Sequence, residues 1–290
     1  MNMEHYFTRG RAFPMSALAM LKSCYPLRPE HLLHSLTSHA MLSADAIAEL
    51  AGRMDPADVE FNRADNLPIG IRPEDVPANG LSIVETIRSI ETNKSWAVLK
   101  NIEKDDAYRA LLLDLLEEIR MVVEPQTGPM LTPQGFIFIS SPGSMTPFHF
   151  DPEHNILMQI RGEKAMHVFP AGDPAFAAPQ DHERYHSGGS RNLDWNDGMA
   201  RGQTVVALHP GEAIHVPVMA PHYVRNGAAV SVSLSITWRS TWSYREAEAH
   251  AANKWLRKFG LNPGMPPRWP RHAVVRSTLW RALRRFGVEA

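Results

Sequence analysis

The sequence predicts a mainly β protein, in which a sandwich or barrel of short strands carries helical additions at both ends. Between about residue 129 and residue 240, β-rich runs alternate with turn residues, which is typical of such a core. Before and after this region, apolar residues recur at helical spacing. The 290 residues, 44% of them hydrophobic, are enough to bury a sizeable core.

Residues 1–79 predict a helical annex followed by a loop. Between residues 14 and 54, apolar residues such as Leu32, Leu33 and Leu36 recur at helical spacing between Pro and Ser residues. From Asp55 to Asn79 the chain is rich in Pro, Asp and Asn, a composition typical of an ordered surface loop. We therefore expect short helices and then a loop in this segment.

Residues 80–243 predict the β core, introduced by two helices. Ser82 and Glu85 form a capping-box pattern that starts a helix reaching about Asn93, and a second helix is expected from Asp105 to Val123. Arg161-Gly162 between two β-like runs predicts a tight hairpin turn. The β-like runs cover residues 96–99, 136–139, 155–160, 164–169, 204–208, 213–218 and 229–238.

Composition excludes several classes of protein. The net charge is −1 and the pI about 6.9, so no chain-wide positive field is present and nucleic-acid binding is not expected. The single cysteine, Cys24, excludes an internal disulfide framework and predicts a reducing compartment, hence a cytoplasmic protein. No apolar run approaches the roughly 20 residues that cross a bilayer, so no membrane association is expected.

The segment around residue 150 carries a metal-ligand pattern. His149 and Asp151 are two residues apart, so on an extended strand both side chains project from one face. His215 and His222, in the later segment 211–226, are both candidates for a third ligand. Two histidines and one carboxylate leave three octahedral positions open, an arrangement used by non-haem Fe(II) oxygenases.

Both sequence motifs of the cupin superfamily can be laid onto this chain, and the chain resembles that superfamily. The first motif falls on Gly143, His149, Asp151, Asn155 and Gly162, and the second on Gly211, Pro217, His222 and Asn226. The resemblance implies a double-stranded β-helix (cupin or jelly-roll) core and selects His222 over His215. Asp151 and Asn155 replace a His and a Glu of the motif, which implies a three-ligand site. Met219 replaces a motif glycine, which predicts a turn without positive φ.

The stretch from Thr146 to Pro170 is similar to the JmjC-type protein hydroxylases, such as the asparaginyl hydroxylase that inhibits hypoxia-inducible factor. The resemblance implies Fe(II) on His149, Asp151 and His222, with 2-oxoglutarate and O2 as cosubstrates. Thr146 and Lys164 inherit the positions that bind the distal carboxylate of 2-oxoglutarate. We expect Asn155 to contact the cosubstrate or a metal-bound water.

Other polar residues have open roles at this level. Alternation places small hydroxyls on one face of the strand over residues 229–238, and the sequence does not decide which of them contacts the cosubstrate: Ser231, Ser233, Ser235 or Thr237. Residues 171–203 form a long irregular insertion. Its polar side chains predict a substrate rim or a solvated loop with equal weight: His182, Arg184, Tyr185, His186, Arg191 and Trp195. His154 and Glu153 are expected as a loop pair near the entrance.

The resemblance implies an Fe(II)- and 2-oxoglutarate-dependent dioxygenase that hydroxylates a C–H bond of a protein, peptide or amino-acid-like substrate, with N-demethylation as the same chemistry on another carbon. The alternative is a non-catalytic cupin that binds a metal or ligand as a sensor or transcriptional regulator. Residues 254–285 of the C-terminal segment 244–290 hold nine Lys or Arg and no acid. This basic segment could attract nucleic acid or an acidic partner. Because related hydroxylases dimerise through terminal helices, we expect it to form a homodimer contact instead.

Overall fold

The computed structural model describes residues 10–64, 67–72 and 75–289. The strands in this part are β1 Glu30–Leu33, β2 Val59–Arg63, β3 Ser95–Lys100, β4 Leu131–Ser140, β5 Met145–His149, β6 His154–Arg161, β7 Lys164–Val168, β8 Thr204–Leu208, β9 Glu212–Val216, β10 His222–Asn226 and β11 Ser231–Arg239. The α-helices are α1 Met15–Cys24, α2 Ala44–Arg53, α3 Ile83–Arg88, α4 Asp106–Thr127, α5 Pro179–Tyr185, α6 Thr241–Arg257 and α7 Val274–Arg285.

The strands form two antiparallel sheets, in the orders β1-β9-β6-β11-β4-β3-β2 and β5-β10-β7-β8. Successive strands from β4 onward mostly alternate between the sheets, which is the topology of a double-stranded β-helix. Apolar side chains of both sheets meet in one buried cluster: Leu157, Met166, Val168, Leu208, Ile214, Val216, Ala220 and Val224. The predicted fold class, a β core with flanking helices, is confirmed.

The outer face of the larger sheet is covered by helices. Leu21 of α1, Ile47 of α2 and Leu115 of α4 are buried in the same core as Leu234 and Ile236 of β11. The hydroxyl-bearing residues of β11 lie on its opposite face, inside the barrel, and all four are buried. The alternation read from the sequence therefore assigns the two faces of this strand correctly.

Two strands lie where the sequence predicted helix and loop. Residues 30–33 form β1, which pairs with β9 through Glu30↔His215 and Leu33↔Glu212. Residues 59–63, inside the predicted loop, form β2 beside β3. Both strands extend the large sheet beyond its barrel strands, so the hydrogen bonds offered by a neighbouring strand override the local pattern.

The turn at Gly162 connects the two sheets, so the predicted hairpin is wrong. β6 pairs with β9 and β11, whereas β7 pairs with β8 and β10. Gly162 has φ +69°, and a Cβ at this position would stand 2.2 Å from the carbonyl oxygen of Val230. Only glycine fits here, because the backbone of the turn passes so close to the residue that precedes β11.

The helices confirm most of the sequence pattern. The capping box of Ser82 and Glu85 starts α3, although this helix ends at Arg88 instead of about Asn93. α4 extends four residues beyond its predicted end at Val123. The insertion 171–203 contains α5 and a 3-10 turn, and α7 packs on α6 through the buried Trp280. In the part that the structure describes, none of the helices is long and apolar enough to cross a membrane.

Candidate metal centre

Strand pairing brings two distant histidines together. His149 ends β5, His222 begins β10, and the two residues are direct partners in the antiparallel register. Asp151 follows two residues after His149, and its Oδ2 lies 3.5 Å from His149 Nε2 and 3.7 Å from His222 Nε2. One ligand atom of each residue lies within 4.8 Å of the others. The three residues predicted as ligands therefore converge on one point.

The orientation of both imidazoles is fixed by backbone carbonyls. His149 Nδ1 donates to Pro147 O at 2.7 Å and His222 Nδ1 donates to Ala220 O at 2.9 Å. Because a carbonyl accepts only from a protonated nitrogen, Nδ1 of each ring carries a hydrogen, and Nε2 is the nitrogen left to bind a metal. Nε2 of each ring faces Asp151 Oδ2, as ligands of a common metal ion require.

Charge at the site suits a cation. Burial by itself raises the pKa of Asp151, but the neighbouring His149 and Arg191 outweigh it and hold the pKa well below its usual range. Burial lowers the pKa of His222 to about 4. At neutral pH the centre therefore offers one carboxylate and a neutral His222 ring, a donor set of the facial-triad type.

The turn before His222 is tied to Asp151. Met219 donates its backbone N–H to Asp151 O at 2.8 Å, and its φ is +56°. The predicted turn without positive φ is wrong: Met219 adopts the left-handed conformation of the motif glycine that it replaces. Its side chain is buried with Phe150 and Tyr223, and this packing holds the backbone there.

Lys164 lies inside the barrel, where no described residue supplies a counter-ion. It begins β7 opposite Asn226 of β10, and the residue is 6% exposed. Burial lowers the pKa of Lys164 to about 7, and no carboxylate of the described residues forms an ion pair with it. Since a buried unpaired ammonium is costly, an anionic ligand at this position would stabilise the barrel.

A bulge places Thr146 on the same face as His149. On β10, His222 pairs with His149 and Val224 pairs with Thr146, so the one residue between them on β10 lies opposite two residues of β5. Residues opposite each other share a face, as do His222 and Val224 by alternation. The position of Thr146 on the inner face thus follows from a bulge that simple alternation does not reveal.

The inner hydroxyls of β11 bond within the protein. Ser235 donates to Asn155 Oδ1 at 2.7 Å, while Thr237 donates to Gln134 O at 3.1 Å. Ser233 donates to Gln159 Oε1 at 2.6 Å, and Ser231 accepts from Gln159 Nε2 at 3.0 Å. Sequence reasoning missed the fully buried Gln159, although its position four residues after Asn155 on β6 signals the same inner face.

Several other histidines lie away from the centre. His215, the alternative third ligand, is buried beneath α1, where its Nδ1 bonds to Arg28 O at 2.9 Å. His154 was predicted in a loop with Glu153, but it begins β6, is fully buried and stacks on Trp238. A strand position on the helix-covered face of the sheet explains this difference.

The insertion contributes both core and site residues. His182 was a candidate for the rim, but it is fully buried and stacks on Phe150 at 5.0 Å between ring centroids. Arg191 reaches the centre, where its NH1 lies 3.1 Å from Asp151 Oδ1. Trp195 packs edge-on against Phe148. The insertion is thus an ordered wall of the site.

Comparison with known families agrees with this geometry. Residues 81–244 match the family described as the cupin-like domain, which is more than half of the chain. The chain belongs to this family. The predicted resemblance to the JmjC and cupin-like oxygenase class is therefore confirmed.

Relatives of this cupin-like chain include JmjC proteins. The lysine-specific demethylase JMJ30 of Arabidopsis thaliana is 28% identical over 116 residues, which cover 38% of this chain and 26% of that protein. The Jumonji C domain-containing protein 5 of Drosophila melanogaster is 30% identical over 104 residues, 33% of this chain and 25% of that protein. These alignments span about a quarter of the relatives' length.

Solved structures share the fold. The X-ray structure of E. coli ycfD matches with a TM-score of 0.52 at 16% identity, covering 91% of this chain and 66% of that chain. YcfD, a ribosomal oxygenase from Escherichia coli, also matches in its complex with cobalt and 2-oxoglutarate, with a TM-score of 0.52, 16% identity, and coverage of 96% and 67%. At this identity the likeness shows the fold alone.

Proposed function

We propose that this protein is an Fe(II)- and 2-oxoglutarate-dependent dioxygenase that hydroxylates a C–H bond of a protein, peptide or amino-acid-like substrate. The observation that carries the proposal is the convergence of His149 Nε2, His222 Nε2 and Asp151 Oδ2 inside a barrel that also buries Lys164, with which no described carboxylate pairs. Two imidazoles and one carboxylate suit Fe(II) and leave three coordination positions open.

The chain's own residues have distinct roles in this proposal. His149, Asp151 and His222 hold the iron, and Lys164 and Thr146 bind the distal carboxylate of 2-oxoglutarate. Asn155, which accepts a hydrogen bond from Ser235, lies on the inner face of β6. Bound iron and cosubstrate supply the oxidation of a C–H bond by O2, with 2-oxoglutarate converted to succinate and CO2.

Lys164 suits a dicarboxylate better than a neutral ligand. A protonated lysine in a dry cavity needs an anion within hydrogen-bonding reach, and the metal-bound end of 2-oxoglutarate leaves one free carboxylate. Lys164 lies four residues along β7 from Val168, the residue that pairs with His222. This separation along one strand accommodates a ligand that spans from the metal to the ammonium.

The substrate and assembly belong to the same proposal. Relatives named lysine-specific demethylases support a polypeptide substrate, on which hydroxylation and N-demethylation differ only in the carbon attacked. In this proposal residues 80–243 form the catalytic unit, the described part of the annex 1–79 supports its outer face, and the C-terminal segment 244–290 joins two copies in a cytoplasmic homodimer.

The experiment is an aerobic assay of purified protein with Fe(II), ascorbate, 2-oxoglutarate and a peptide library, with succinate and peptide mass as readouts. We expect succinate from the native protein and none from His149→Ala, whereas His209→Ala alters an exposed histidine and serves as the matched control. A mass gain of one oxygen identifies hydroxylation, and loss of a CH2 identifies demethylation. Tight 2-oxoglutarate binding without succinate would favour a sensor.

A further inference from the structure

A short segment of the insertion pairs with the strand that carries His149. Leu193 N donates to Phe148 O at 2.9 Å and Phe150 N donates to Arg191 O at 3.3 Å, with His149 and Asn192 as bridge partners between them. Residues 191–193 thus extend the small sheet at the metal centre. This pairing fixes the backbone position of Arg191.

The two oxygens of the Asp151 carboxylate face different partners. Oδ1 accepts a hydrogen bond from Arg191 NH1 at 3.1 Å. Oδ2 is the oxygen that faces Nε2 of both His149 and His222. One oxygen is therefore committed to a guanidinium, and only the other is free to bind a metal ion.

This division matters because a carboxylate can bind a metal through one oxygen or through two. With Asp151 bound through Oδ2 alone, the protein fills three of six positions. A chelating 2-oxoglutarate fills two more, and one stays open. If both oxygens of Asp151 coordinated, the same cosubstrate would complete the shell and leave no position for a diatomic ligand.

We infer that Arg191 is a positioning residue that keeps Asp151 a one-oxygen ligand and so preserves the sixth coordination position once 2-oxoglutarate has bound. The inference rests on the proposed function. Arg191 suits this role because a guanidinium is charged at every relevant pH and donates to a carboxylate oxygen in a fixed direction. Its backbone is held by the pairing with β5, which limits its freedom to move away.

The test uses nitric oxide as an O2 substitute, bound anaerobically to the Fe(II) protein with and without 2-oxoglutarate, and followed by absorption and electron paramagnetic resonance. In the native protein we expect both forms to bind nitric oxide. In Arg191→Met we expect nitric oxide affinity to fall about tenfold or more, ~1.4 kcal/mol, only when 2-oxoglutarate is present. Arg191→Lys keeps a cation beside Oδ1 and should restore most of the affinity.

Arg184→Met is the matched control, since Arg184 also contacts the segment, through Asn192 O at 3.4 Å, but does not reach Asp151. Equal nitric oxide affinity of native protein and Arg191→Met in the presence of 2-oxoglutarate would overturn the inference, as would an equal loss with and without it, which indicates a merely structural anchor. If the native protein itself fails to bind 2-oxoglutarate beside its metal, the proposed function fails instead.

Discussion

The backbone N–H of Met219 donates to the carbonyl oxygen of Asp151 at 2.8 Å, and this bond joins the two chain segments that supply the metal ligands. Met219 achieves it with φ +56°, three residues before His222. A residue that cannot adopt this conformation should therefore disturb Asp151 and His222 together.

Met219→Ile tests this relationship. β-Branched residues strongly disfavour positive φ, so we expect the free energy of unfolding to fall by roughly 2–3 kcal/mol, with weaker metal binding. Urea unfolding and Mn(II) titration measure the two effects. Met158→Ile makes the same change at a buried strand position of β6 and should cost less than about 1.5 kcal/mol. Equal effects of both variants would show that the turn tolerates any apolar residue.

Gly162→Ala tests the crossing between the sheets. The new Cβ would lie 2.2 Å from Val230 O at φ +69°, so neighbouring backbone must shift and we expect a loss of about 3 kcal/mol or more. Gly260 has φ +76° but open space around its Cβ position, so Gly260→Ala should cost only about 1–2 kcal/mol. Urea unfolding of both variants separates the destabilisation caused by the close contact from that caused by positive φ. Equal losses of unfolding free energy in the two variants would contradict the crowding at Gly162.

The metal triad was predictable because its spacing is local at His149 and Asp151, and because the second motif identified His222. Lys164 and Thr146 followed by position in the first motif. What the sequence could not show depends on contacts between distant segments. Arg191 lies 40 positions after Asp151 in an insertion without periodicity, and only the pairing of residues 191–193 with β5 brings it to the centre.

The same reasoning explains the missed strands. Leu32 and Leu33 match a helical spacing, yet β1 forms because the edge of β9 offers it hydrogen-bond partners. Such pairing is a property of the assembled sheet. The strand order of the barrel was accessible only through the family resemblance, since no local signal distinguishes the turn at Gly162 from a hairpin.

Buried histidines should make the protein sensitive to acid. His182 and His250 are fully buried with ring centroids 4.7 Å apart, and among the described residues no hydrogen-bond partner faces a ring nitrogen of either. Burial lowers the pKa of His182 to about 3 and that of His250 well below 6.5. Below pH 6.5 the unfolded chain gains protons that the folded protein does not, so each such residue removes about 1.4 kcal/mol of stability per pH unit.

His250→Phe keeps a ring in the stack but removes its titration. Relative to the native protein, the variant should gain about 1.4 kcal/mol more at pH 5.5 than at pH 7.5, measured by urea unfolding. His272→Gln changes an exposed histidine and is the control. A gain for His250→Phe that does not depend on pH would mean that the folded protein accommodates the proton.

Lys164→Met separates stability from cosubstrate binding. Methionine has a similar length without the charge, so the free energy of unfolding of the ligand-free variant should exceed that of the native protein by roughly 4 kcal/mol at pH 7, measured by urea unfolding. The folded pKa of about 7 lies below the unfolded value near 10.5, so the native protein gains stability between these pH values. The advantage of the variant should therefore shrink as the pH rises toward 10.

The same substitution should weaken 2-oxoglutarate binding, because the distal carboxylate would be buried without a cation. Removing one partner of a buried charge pair costs about 3–5 kcal/mol, so calorimetry with the Mn(II) protein should show a loss of more than about a hundredfold. Lys100→Met is the control. Lys100 pairs with Glu60 at the surface at 3.4 Å, and loss of this ion pair should lower the free energy of unfolding by less than about 1 kcal/mol. Native-like 2-oxoglutarate affinity in Lys164→Met would remove Lys164 from the cosubstrate site, whatever its effect on stability.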